Sequence, residues 1–307
     1  LAKVSFSDSG VDAKGSAFEY FLKFNLRGSQ LGQYFTPRDV VKLMVELVGI
    51  RTIAIDLLDP STVVRVVDPA CGSGGFLITG MRTLFEEIDT LQKSGSISVE
   101  KATYLKRRVK AEVFWGADAK HMLARTAKMN MIIAGDGFMN IKHGNALTDE
   151  VRFLSQRGTR DRPFDYVLAN PPFGMSEANL PEKVLSKYDL PITKGQALFL
   201  QKMIAATKSG GRICTVIDEG ILNTRSMKDV RQHLIQKCFI DAVVSLPYVT
   251  FEPNYARVST SILLLTRKKN ELVEQEFPIF YYQLEEIGYG PTGKPRGTPS
   301  DVLTKMV

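Results

Sequence analysis

The chain has 307 residues, 40 Lys and Arg against 33 Asp and Glu, a formal charge of +7 and 44% hydrophobic residues. That length and balance suit an ordinary soluble globular protein of one large domain or two smaller ones. No apolar run approaches the about 20 residues of a membrane-crossing helix, and no segment is repetitive or low in complexity.

In chain order, Ser16 to Leu26 and Arg38 to Leu47 read as helices, and together they form a helical lead-in over residues 1–60. From about residue 61 to 270, strand-length apolar runs alternate with helical stretches. Val63 to Val67 is β-rich and ends at Asp68, and a glycine-rich turn leads into the amphipathic run Phe76 to Leu91. Val113 to Gly116 precedes a helical run from Ala119 to Ala134, and Phe164 to Ala169 is the next strand. Leu198 to Lys208 reads as a helix stopped by Gly210-Gly211, with Arg212 to Ile217 following as a strand. Val230 to Cys238 is helical, and Ile240 to Leu246 and Ile262 to Thr266 are apolar strands. Such alternation predicts an α/β fold, a mostly parallel sheet covered by helices on both faces. Residues 271–307 form an extension with one short strand, Pro278 to Tyr282, before a turn-rich Gly- and Pro-containing segment.

Cys71, Cys214 and Cys238 are widely spaced among apolar or small neighbours, and read as buried free thiols in a reducing compartment. His121, His143 and His233 lie too far apart in sequence to suggest a zinc site. No metal is expected. The chain opens at Leu1 with no initiator Met and no secretory segment, and reads as a cytoplasmic fragment of something longer. Basic residues gather at Lys106-Arg107-Arg108 with Lys110, at Arg152, Arg157, Arg160 and Arg162, and at Arg267-Lys268-Lys269. A pI near 9.2 permits a polyanionic partner, yet such groups are more often solvated surface.

Three strings carry chemistry. In Asp68-Pro-Ala-Cys-Gly-Ser-Gly-Gly-Phe76, glycines between strand and helix let a backbone approach a ligand and present amide N–H groups to it. An acid placed before those glycines would face a pyrophosphate, which argues against a dinucleotide. It favours a ligand carrying an ammonium group, such as S-adenosylmethionine. In Asp165-Tyr-Val-Leu-Ala-Asn-Pro-Pro-Phe173, the Asn170 side-chain carbonyl and the Pro171 backbone carbonyl are preset acceptors suited to an exocyclic amine. Consecutive prolines, Pro171 and Pro172, fix the turn, and Phe173 offers a stacking face. The third string is Gly32-Gln-Tyr-Phe-Thr-Pro37, where Thr36 could cap the following helix with Pro37 at its first position.

Together these strings resemble the modification (M) subunits of type I restriction–modification systems, the N6-adenine DNA methyltransferases, from Gly15 through Gly290. The resemblance implies a Rossmann-like, seven-stranded S-adenosylmethionine-dependent methyltransferase sheet with a helical N-terminal lead-in. Only 102 residues separate Asp68 from Asn170, which resembles the arrangement in which DNA recognition lies C-terminal or on another subunit. The resemblance further implies that Gln33, Tyr34, Phe35, Thr36, Pro37 and Arg38 line the cofactor pocket. Asp68, Ala70, Gly72, Ser73, Gly74 and Gly75 would hold the methionine part. Asp118 would accept from the ribose hydroxyls and Asn145 would meet the cofactor's adenine, where the family commonly has Glu and Asp. Asn170, Pro171, Pro172 and Phe173 would receive a flipped adenine from DNA. A specificity (S) subunit would choose the sequence and a restriction (R) subunit would cut. The rivals are methylation of RNA adenine or protein glutamine, and a non-catalytic cofactor-binding scaffold.

Overall fold

The computed structural model of the chain describes residues 36–135, 140–174, 180–248, 250–251, 259–285 and 287. The helix expected at Ser16 to Leu26, and Gln33, Tyr34 and Phe35, lie outside the described residues. The alternating apolar runs pair into one sheet: β1 (Val66–Asp68), β2 (Phe114–Asp118), β3 (Ile141–His143), β4 (Phe164–Ala169), β5 (Thr207–Asp218), β6 (Cys238–Ser245), β7 (Thr260–Arg267) and β8 (Phe280–Gln283). Their spatial order is β3-β2-β1-β4-β5-β7-β6-β8. β3, β2, β1, β4 and β5 run parallel, and β7 enters antiparallel between β5 and β6. Among the described residues the sheet has eight strands against the seven expected. The short C-terminal run adds to the sheet as β8, parallel to β6, because it covers an edge whose backbone groups would otherwise go unpaired. Strand order reverses between β1 and β4, so the crevice for a ligand opens at their carboxyl ends.

Six helices of ten residues or more flank this sheet among the described residues: α1 (Arg38–Val48), α2 (Gly75–Lys93), α3 (Val99–Arg108), α4 (His121–Ile133), α5 (Gly195–Ala206) and α6 (Lys228–Lys237). α1 buries Val41, Met44, Val45 and Val48 in the same cluster as α2's Leu77, Met81 and Leu84. α1 thus shares a core with the elements that follow it, and β8, beyond residue 270, pairs with β6. α3 went unread in the sequence because its run is largely polar. Ser98 caps it by accepting from the Lys101 N–H, and Lys106, Arg107 and Arg108 occupy its last turn, where the helix dipole favours cations. Arg108 is buried, donating to the Thr62 carbonyl at 2.7 Å and pairing with Glu112 at 3.0 Å. Part of that basic group is thus structural.

Gly210-Gly211 does not stop the helix before β5. α5 ends at Ala206, and the glycines sit in a bulge inside β5, between the pairs Phe164↔Thr207 and Tyr166↔Arg212. A Cβ on Gly211 would stand 2.7 Å from the Asp165 carbonyl oxygen, which is backbone and cannot yield. Gly211→Ala is expected to destabilise the fold by about 1–3 kcal/mol. An unchanged urea midpoint would show that the bulge can relax.

Candidate active site

Two of the three strings follow the carboxyl ends of strands, the first after β1 and the second after β4. After β1, the Ala70 N–H returns to Asp68 Oδ1 at 2.9 Å, and the Cys71 N–H donates to the Ala117 carbonyl of β2 at 2.8 Å. Gly72 takes φ +53, a conformation that favours glycine, and a Cβ there would meet nothing within 4 Å. The loop thus presents a bare backbone to open space. Gly74, at φ +89, begins α2 with the helix N-terminus facing the same loop. From α4, Asn130 donates to the Ser73 carbonyl at 2.9 Å, while its own Oδ1 is buried and unpartnered.

Two acids support this loop. Asp118, at the end of β2, accepts the Gly72 N–H on Oδ2 at 3.0 Å and the Lys120 N–H on Oδ1 at 2.8 Å. Asp68 is 1% exposed and Asp118 6%. Burial pushes the Asp68 carboxyl well above the usual carboxylate range, against the opposing Ala70 hydrogen bond, and the neighbouring charge of Asp118 adds to the rise. Asp118 is raised by burial too, opposed by its two backbone donors. Two buried acids within electrostatic reach form a site that a cation would relieve. Burial also pushes the Cys71 thiol up, so this loop holds no ready nucleophile.

Asn145, after β3, turns its carbonyl into its own loop, accepting the Leu147 N–H at 2.9 Å, while its backbone N–H donates to Glu150 Oε2 at 2.9 Å. Only one lone pair of that carbonyl is left for a ligand. His121 and His143, distant in sequence, do meet: their rings lie 5.3 Å apart, edge to face. Among the described residues, no group of three or more His, Cys, Asp or Glu could hold a metal ion.

After β4, Asn170 donates from Nδ2 to Thr36 Oγ1 at 2.9 Å. This contact joins two strings 134 residues apart. It also corrects the capping role expected of Thr36. Pro37, not Thr36, occupies the N-cap of α1, and no side chain caps that helix. With its amide nitrogen committed, Asn170 is left with Oδ1, which is buried and has no partner. Phe173 is 9% exposed and packs its ring 5.4 Å from that of Phe251, at 61°. Phe173 and Phe251 thus belong to one buried cluster, set edge to face. Sequence reading missed Asn130 and Gln196. Each is a polar residue on the buried side of an apolar helical run, and that placement was the available signal.

The model of the family described as N-6 DNA Methylase matches residues 9–294. The chain belongs to the N-6 DNA methylase family. It is 26% identical over 255 residues to the type I restriction enzyme EcoEI methylase subunit of Escherichia coli, covering 82% of this chain and 46% of that one. It is 28% identical over 290 residues to the MpnII methylase subunit of Mycoplasma pneumoniae, covering 90% and 47%. It superposes on a chain in a solved structure of the type I R-M system with a TM-score of 0.68 at 25% identity, covering 99% of this chain and 56% of that chain. The type I methyltransferase subunit of Streptococcus thermophilus shares the fold, with a TM-score of 0.67 at 20% identity over 99% of this chain and 58% of that chain. The chain spans about half the length of the curated relatives it matches. Among the described residues, no helix is long and apolar enough to cross a membrane.

Proposed function

We propose that this N-6 DNA methylase family member transfers a methyl group from S-adenosylmethionine to the N6 amine of adenine in DNA. It would act as the modification subunit of a type I restriction–modification complex, with a specificity subunit choosing the site and a restriction subunit cutting unmodified DNA. The observation that carries this reading is Asn170, whose nitrogen is tied to Thr36 and whose unpartnered oxygen is left to accept from an amine.

The residues present fit the cofactor. Buried Asp68 and Asp118 want a cation, Gly72 faces open space, and Asn130 Oδ1 is an unused acceptor beside the loop. In this reading Asp68, Ala70, Gly72, Ser73, Gly74 and Gly75 hold the methionine part, Asp118 the ribose and Asn145 the adenine. Gln33, Tyr34, Phe35, Thr36, Pro37 and Arg38 complete the pocket wall. When bound, the cofactor supplies an electrophilic methyl. An adenine stacked in a duplex hides its amine, so the base must be flipped out. Asn170 Oδ1 and the Pro171 carbonyl then accept the two amine hydrogens, which turns the nitrogen lone pair toward the methyl. Pro172 holds the turn rigid, and Phe173, with Phe251 beside it, walls the base.

Thr36→Val keeps side-chain volume and frees the Asn170 amide to rotate. It is expected to lower kcat by about tenfold, the worth of one hydrogen bond, and to weaken cofactor affinity by less than that. Equal losses in both would mean that Thr36 acts through the pocket wall alone and not through Asn170. The reading itself is tested by supplying labelled S-adenosylmethionine to the chain with its specificity subunit, with DNA, RNA and protein extract competing in one tube. Label in DNA is the expected result. Label in RNA or protein would replace the substrate, and binding without transfer would leave a scaffold.

A further inference from the structure

Five buried side-chain polar atoms among the described residues have no hydrogen-bond partner: Arg65 Nε, Asn130 Oδ1, Asn170 Oδ1, Gln196 Nε2 and Thr260 Oγ1. Such groups cost free energy, and each asks for a reason. Arg65 is explained locally, because its guanidinium lies between the rings of Trp115 and Phe164, 4.4 and 4.1 Å from their centres. Asn130 belongs to the glycine loop. The other three stand on neighbouring elements at the carboxyl edge of the sheet, and Gln196 is the one donor among them that no hydroxyl rotation can satisfy.

Its position follows from the strand register. Gln196, 6% exposed in the first turn of α5, accepts the Asp218 N–H on Oε1 at 2.9 Å. The next residue, Glu219, donates its N–H to Ser259 on the β7 side of β5. Successive N–H groups of a strand point to opposite edges, so the Asp218 N–H points toward β4. β4 pairs with β5 only as far as Ala169↔Thr215, three residues short of Asp218. The Gln196 carboxamide therefore fills the gap where β4 has given way to Asn170-Pro171-Pro172. A buried donor on Gln196 and a buried acceptor on Asn170 are thus both left unsatisfied at the carboxyl edge of neighbouring strands β4 and β5.

We infer that Gln196 is a further binding residue for the target base: its Nε2–H donates to a ring nitrogen beside the exocyclic amine while Asn170 Oδ1 accepts from that amine. Adenine offers this acceptor–donor pair on both sides of its amine, at N1 and at N7. Guanine presents a carbonyl in place of the amine and fails the Asn170 contact. This inference rests on the adenine-DNA reading above.

The test is a cycle of enzyme and base. The full chain with its specificity subunit, as wild type, Gln196→Ala and Gln196→Glu, is assayed on duplexes carrying adenine, 1-deazaadenine or 7-deazaadenine at the target position. Gln196→Glu keeps the oxygen that receives the Asp218 N–H and replaces the donor with an acceptor, so it guards against a folding defect. The expected result is a loss of about 10- to 100-fold in kcat/KM for wild type on one of the two deaza bases. Both variants should lose as much on adenine and nothing more on that deaza base. Variants that slow all three substrates in equal proportion would reduce Gln196 to a support for Asp218 and overturn the inference. Wild type that transfers to no DNA would overturn the adenine-DNA reading itself, and this inference with it.

Discussion

Asn170→Ala is expected to lower methyl transfer by about 100- to 1,000-fold, the range for deleting one preorganised contact to a reacting group. Cofactor affinity should stay within about twofold of wild type, because Asn170 bonds Thr36 and not the glycine loop. The variant should also fold. It deletes a buried oxygen that has no partner and the one hydrogen bond to Thr36, a cost of about 1 kcal/mol. Single-turnover rates and calorimetric titration with S-adenosylmethionine separate these effects. Near-normal turnover would mean that another group orients the amine.

The second large effect concerns charge. Asp68 and Asp118 have carboxyls raised by burial, so the ligand-free protein loses stability as pH climbs from the ordinary carboxylate range through their folded-state values. Below that range both states are protonated and the penalty vanishes. A cationic ligand favours the ionised acids, so its binding releases protons and tightens as pH rises. The thermal shift given by S-adenosylmethionine is therefore expected to grow as pH rises above the ordinary carboxylate range. Asp68→Asn keeps an acceptor for the Ala70 N–H and removes the charge. It should weaken cofactor binding by about 10- to 100-fold, or about 1.4–2.8 kcal/mol, flatten the pH dependence, and leave the ligand-free protein no less stable. A variant that binds with unchanged affinity and pH profile would remove Asp68 from the cofactor site.

The parts of this fold that were legible in the sequence are those set by local pattern. β4 matches its apolar run at both ends, because Pro163 and Asn170-Pro171 punctuate it on either side. α2 was read to within two residues at each end, because the glycines before it and the amphipathic spacing within it agree. What escaped depends on partners distant in sequence. β3 has three residues with only Ile141 buried, too little pattern to read, and it exists by pairing with β2. Gly210-Gly211 looked like a helix stop, yet β5 carries on through it because the pairing with β4 absorbs the extra residues as a bulge.

The candidate site divides in the same way. Asp68, Asp118 and Asn170 were legible because strand ends before glycine or proline are where this class of sheet places ligands. Thr36 was read as a cap because its bond to Asn170 spans 134 residues, and no local rule contains it. Gln196 was invisible for the same reason. Its meaning lies in a missing partner, which shows only once the chain is folded.

The proposed role of Asn170 is to offer its remaining acceptor to an adenine amine. The most direct measurement digests DNA that has reacted with the full chain, its specificity subunit and labelled S-adenosylmethionine, and identifies the modified nucleoside by mass spectrometry. N6-methyl-deoxyadenosine is expected with wild type and none with Asn170→Ala. Label on cytosine, or label on adenine that survives the loss of Asn170, would contradict it.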